Sequence, residues 1–154
     1  LSISEKDIME LALNAVEAVT TKCSEDVKSS FRARARNMIS DLFTSGASYV
    51  ISVAAARSSA YALETALSVK DVGEITRICE DHDYSKKLGV EKSDDKGYAI
   101  YGSLLLYVLK KTGILSSNKL SEAIRELQGN TYAEKILARM AIWLKRFAEA
   151  YIHE

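Results

Sequence analysis

Apolar residues recur at three- and four-residue spacing along most of this chain, which predicts helices rather than strands. From residue 4 to about 22, Ile8, Leu11, Ala15, Ala18 and Val19 form one apolar stripe. Ser4 stands where an N-cap belongs, and Glu5 and Asp7 follow in the first turn, where the helix dipole favours acids. Ser24 opens a second helix that runs to about Phe43, with Gly46 as its stop signal. Residues 47–67 are small and apolar nearly all round, the composition of a helix buried at the centre of a bundle. A short helix fits 71–80. The periodicity then stops: residues 81–97, "DHDYSKKLGVEKSDDKG", predict a charged loop. Helix resumes over 98–112, closed by Gly113, and again over 118–128, ahead of Gly129. Asn130 or Thr131 caps a last helix that carries to the C-terminus. The pattern as a whole predicts an all-α chain, a compact bundle of about five to seven helices forming one domain over 1–154.

Composition strengthens this. The 154 residues include no proline, where average usage predicts roughly seven or eight. Proline breaks helix interiors, so its absence leans toward all-α. Cys23 and Cys79 lie far apart without a CxxC spacing, which predicts packed, reduced thiols in a cytoplasmic protein. No segment approaches the roughly 20 apolar residues a bilayer span needs, and the acidic start does not suit a secretory signal.

Net charge is zero but unevenly spread. Residues 1–26 carry −4, 27–57 carry +4, 58–95 carry −4 and 96–154 carry +4. A zero total argues against coating nucleic acid by bulk charge. Alternating blocks suit a part that meets an anion on one side and charged neighbours on another.

Little in the chain proposes a catalyst. The "EDHD" run, Glu80 to Asp83, holds metal-friendly side chains, but neighbours in a loop diverge, so a solvated segment is expected and no metal or cofactor. There is no nucleotide-binding glycine loop and no Ser-His-Asp signature. The basic residues are more informative. In "FRARARNM", residues 31–38, a helix sets Arg32 and Arg36 about 40° apart and turns Arg34 almost opposite, toward an expected acidic partner. Arginine suits phosphate because its planar fork matches the oxygens. Arg57 interrupts an apolar run and must reach an edge or a partner. Lys110 and Lys111 close a helix, where the dipole alone favours cations. Lys135, Arg139 and Arg146 make a stripe on the last helix. Tyr98, Tyr101 and Tyr107 fall on apolar faces and are expected in the core, not as stacking platforms for bases.

Three stretches carry a resemblance. They are "RNMISDLFTSGASYVISVAAARSSA" (36–60), "GYAIYGSLLLYVLKKTG" (97–113) and "YAEKILARMAIWLKRFAEAYI" (132–152), of which "WLKRFAEA" (143–150) is the most specific. Together they resemble the small subunit of the type III-B CRISPR effector, the Cmr complex, over most of the chain. The charged 80–97 insertion and the lack of a proline before the glycine turn depart from that family's pattern. The resemblance implies an all-α, non-catalytic subunit. It would stack head to tail with copies of itself as a short filament along the guide RNA–target RNA duplex and contact other Cmr subunits. By position, Gly46 matches the family's turn glycine and Arg57 the basic residue on the next helix. Trp143, Lys145, Arg146 and Phe147 match its C-terminal motif, with Trp143 and Phe147 as core anchors. The preferred phosphate contacts are then Arg32, Arg36, Arg57, Lys145 and Arg146, followed by Lys110, Lys111 and Arg139. The type III-A small subunit, a helical enzyme and a protein–protein adaptor without RNA contact stand as alternatives.

Overall fold

The computed structural model describes residues 3–153. Among the described residues it is all-helical, with nine helices and no strand. They are α1 (Glu5–Lys22), α2 (Glu25–Ser45), α3 (Ala47–Arg57), α4 (Ala60–Ala66), α5 (Val72–Glu80), α6 (His82–Leu88), α7 (Ser93–Lys111), α8 (Leu120–Leu127) and α9 (Thr131–Tyr151). None is long and apolar enough to cross a membrane.

The count exceeds the expected five to seven for two local reasons. The apolar stretch over 47–67 is two helices, because consecutive serines end one and start the next. Ser58 Oγ donates to the Ala54 carbonyl at 2.6 Å, and Ser59 Oγ accepts from the Ala62 N–H at 3.2 Å. Each hydroxyl offers the backbone a partner that the helix ladder would otherwise supply. The segment expected as a loop, 81–97, contains α6 and the first turns of α7. Asp81 caps α6 by accepting from the Tyr84 N–H at 3.0 Å, Gly89 closes it at φ +79°, and Ser85 and Leu88 are buried beneath it.

The helix at the centre is α7, not the stretch after Gly46. Every residue of α7 from Gly97 to Leu109 is buried, and α2, α3, α4, α5 and α9 all pack against it. By contrast, α3 buries only Ala47, Val50, Ile51 and Ala54. Two glycines let neighbours come this close. A Cβ on Gly97 would lie 2.0 Å from Ser30 Oγ, and one on Gly102 would lie 2.7 Å from Ala54 Cβ. Helix α1 lies on α9 and α5, burying Ile8, Ala12, Ala15, Val16 and Val19. Buried apolar side chains from all these helices meet in one cluster, with Phe31 against Tyr101 at 6.4 Å between ring centroids.

Two helix starts are satisfied from far along the chain. Glu134 on α9 accepts from the Ala47 N–H at 2.8 and 3.0 Å, at the first turn of α3. Glu64 on α4 accepts from the Leu120 N–H at 2.8 Å, at the first turn of α8. Each carboxylate meets both an orphan donor and the positive end of a helix dipole.

The cysteines overturn the expectation of packed, reduced thiols. Cys23, at the C-cap of α1, and Cys79, on α5, form a disulfide with Cα atoms 4.9 Å apart. The packing of α1 on α5 brings them together, and no sequence spacing announces it.

Candidate nucleic-acid interface

The helical phase of α2 places Arg32 and Arg36 on one outward face, as the spacing predicts. With Ser29, Ala33 and Asn37 they line a shallow depression. Tertiary packing then adds α9 to this face. The Glu149 carboxylate accepts from Arg36 Nε at 3.3 Å and from Arg146 at 3.2 Å. Two arginines expected on separate helices are therefore neighbours across a single carboxylate. Their side chains stay 45% and 68% exposed, so the pairs add little stability. Lys145, half-buried on α9, has no ion pair with a described residue.

The rest of α9 is committed differently. Glu5, in the first turn of α1, accepts from Arg139 Nε at 2.9 Å and from Trp143 Nε1 at 2.6 Å. Trp143 stacks on Phe147 at 5.4 Å, and Phe147 meets Tyr151 at 6.5 Å. Trp143 and Phe147 pack at the edge of the core and are only partly buried, so they line its rim rather than anchor its interior. Lys135 is exposed.

Lys110 and Lys111 lie apart from these residues. Lys110 Nζ donates to the Ser117 carbonyl at 3.2 Å and to Asn118 Oδ1 at 3.1 Å, clasping the connection between α7 and α8. Lys111 sits 5.8 Å from the Tyr107 ring. The tyrosines are core residues as expected: Tyr98, Tyr101 and Tyr107 are all buried. Burial raises the Tyr101 and Tyr107 phenols above their usual range, so both are neutral at physiological pH.

Arg34 pairs with no acid among the described residues. It donates to the Tyr98 hydroxyl, and its guanidinium carbon lies 4.4 Å from the centre of that ring. Arg57, from α3, lies 5.0 Å from the same centre. Spacing on α2 turned Arg34 away from Arg32 and Arg36 correctly, but it carried no sign of Arg57 or Tyr98, which lie on other helices. The "EDHD" residues are likewise engaged locally: Glu80 pairs with Lys22 at 3.2 Å, and Asp81 with Arg77 at 3.2 Å. The Tyr84 N–H holds the Asp81 carboxyl below the usual range, aided by Arg77.

Fold and surface together define a helical protein whose candidate site is a set of guanidinium groups steered by carboxylates and by one tyrosine ring. Comparison with known proteins makes this more specific. Over 97% of its length the chain is similar to the CRISPR system CMR subunit Cmr5 of Saccharolobus solfataricus, at 28% identity and covering 96% of that protein. This supports the resemblance carried by residues 36–60, 97–113 and 132–152, that of a small subunit of the type III-B CRISPR Cmr complex. No family model matches the chain, and no solved structure does.

Proposed function

We propose that this chain is a non-catalytic structural subunit of a type III-B CRISPR ribonucleoprotein, and that it positions the guide RNA–target RNA duplex in antiviral defence. The similarity to Cmr5 over nearly the whole of both chains carries this proposal. The α2/α9 face supports it physically: Arg32, Arg36 and Arg146 converge from two helices, and positioned cations are all that sequence-independent contact with a duplex requires. Base pairing by the guide supplies specificity, so no base-reading groups are needed. Lys145 extends the contact along α9 and Arg57 adds a separate one beside Tyr98, with Arg139, Lys110 and Lys111 as lesser contributors. Other Cmr subunits are the protein partners, and copies of the chain stack head to tail, acidic blocks meeting basic ones. The subunit works in the cytoplasm without a metal or cofactor.

The test is a tagged pull-down from native cells, with mass spectrometry of the proteins and sequencing of the RNA. Recovery of Cmr subunits with guide RNA is the expected result. Recovery of unrelated proteins without RNA would refute the proposal and reduce the basic faces to solvated surface or protein contacts.

A further inference from the structure

Three helices bring Arg34, Arg57 and Tyr98 together, and the chemistry of the group is unusual. Both guanidinium carbons lie within 5.0 Å of one ring centre, so the two positive charges are less than about 10 Å apart. That is within one Debye length at 0.1 M salt, where like charges still repel. Neither arginine has an ion pair with a carboxylate among the described residues. The carboxylates nearest in register are Asp94 and Asp95, one turn earlier on α7. Asp94 is engaged by Ser30 Oγ at 2.9 Å. Arg34 is half-buried and its Nε is a buried donor without a partner in the protein. Arg57 is exposed at the end of α3. Tyr98 is 7% exposed, so its ring is a fixed wall. Its hydroxyl accepts from Arg34, which leaves the phenolic proton for another acceptor.

Two guanidiniums set against one ring, with a phenolic proton beside them, supply donors of the kind a tetrahedral oxyanion accepts. The geometry points to Arg34 and Arg57 as the two halves of a phosphate clamp built on Tyr98. A ring contact orients each guanidinium without neutralising it, unlike the Glu149 bridge on the other face. Arg34 thereby joins the functional set although its helix turns it away from Arg32 and Arg36. The inference rests on the proposed RNA contact only for the source of the phosphate: a backbone phosphodiester is one source and free inorganic phosphate the other.

The test is a titration of the full ¹⁵N-labelled chain at constant ionic strength, following the Nε–Hε signals of Arg34 and Arg57. One arm uses sodium phosphate and the other a short RNA duplex of unrelated sequence. Both signals are expected to move together along one saturable curve in each arm. Arg57→Gln, at an exposed position, should weaken that curve about tenfold for RNA and remove the Arg34 response to phosphate. Tyr98→Phe keeps the ring and should weaken it several-fold. If phosphate moves both signals and RNA moves neither, the clamp stands and the RNA contact proposed above fails at this place. If Arg57 moves without Arg34, or neither moves in either arm, the clamp is refuted. The wild-type titration decides this even if a variant fails to fold.

Discussion

Reducing the Cys23–Cys79 disulfide should destabilise the protein heavily, and reduction is a clean perturbation because it cuts one bond and removes no atom from the core. The link joins residues 56 apart in sequence, the end of α1 to α5. In the chain-entropy model, closing a loop of that length removes about 4 kcal/mol of freedom from the unfolded state. The packing of α1 on α5 is otherwise unchanged by reduction: Cys23 stays buried, Cys79 half-buried, and the buried Val16 and Val19 remain in place. Urea unfolding with and without reductant, followed by Trp143 fluorescence and far-UV circular dichroism, reads the effect directly. At a slope of about 2 kcal/mol per molar urea, the midpoint should fall by about 2 M. Cys23→Ala should match the reduced wild type to within about 1 kcal/mol and should not respond to reductant. An identical midpoint in both conditions would refute the reasoning, as would two thiols titrating in the unreduced, unfolded chain.

Other predictions concern packing, capping, ionisation and the basic face. Gly102→Ala drives a methyl group to 2.7 Å from Ala54 Cβ and should cost about 1–3 kcal/mol, seen as a lower melting temperature with unchanged helix content. Glu134→Ala strips the start of α3 of its acceptor and should cost about 1–2 kcal/mol in the same assay, with Glu134→Gln intermediate. Burial holds the Tyr101 phenol protonated in the fold while the unfolded chain ionises near pH 10, so its contribution is complete below about pH 10 and falls as pH rises further. At pH 11 this costs about 1.4 kcal/mol, and Tyr101→Phe should abolish that loss while leaving stability at pH 7 equal or higher, because the hydroxyl is buried without a partner. Arg32→Ala with Arg36→Ala should weaken retention of target RNA by the assembled complex and flatten its salt dependence; unchanged retention at every salt would remove both from the contact set.

The all-helical class and most helix ends are legible in the amino-acid sequence, because those signals act within about four residues. Ser4 and Ser24 cap α1 and α2 as their positions predict, and of Asn130 and Thr131 it is Asn130 that caps α9, each side chain accepting from an N–H three residues on. Gly46 ends α2 at φ +90°, and the helical phase of Arg32 and Arg36 holds. Signals of the same short range stand at Ser58–Ser59 and at Asp81, where local hydrogen bonds outweigh a continuous apolar run in one case and support a helix under high charge in the other. The meetings between helices are set by long-range packing instead. α7 took the centre over the α3–α4 stretch because glycines at 97 and 102 let α2 and α3 approach it. The same packing joined Cys23 to Cys79, set Glu149 between Arg36 and Arg146, and laid Arg34 and Arg57 on Tyr98. Periodicity says which side of a helix is apolar, but which other helix covers that side follows from how the faces fit in space, and every contact of the candidate site depends on that fit.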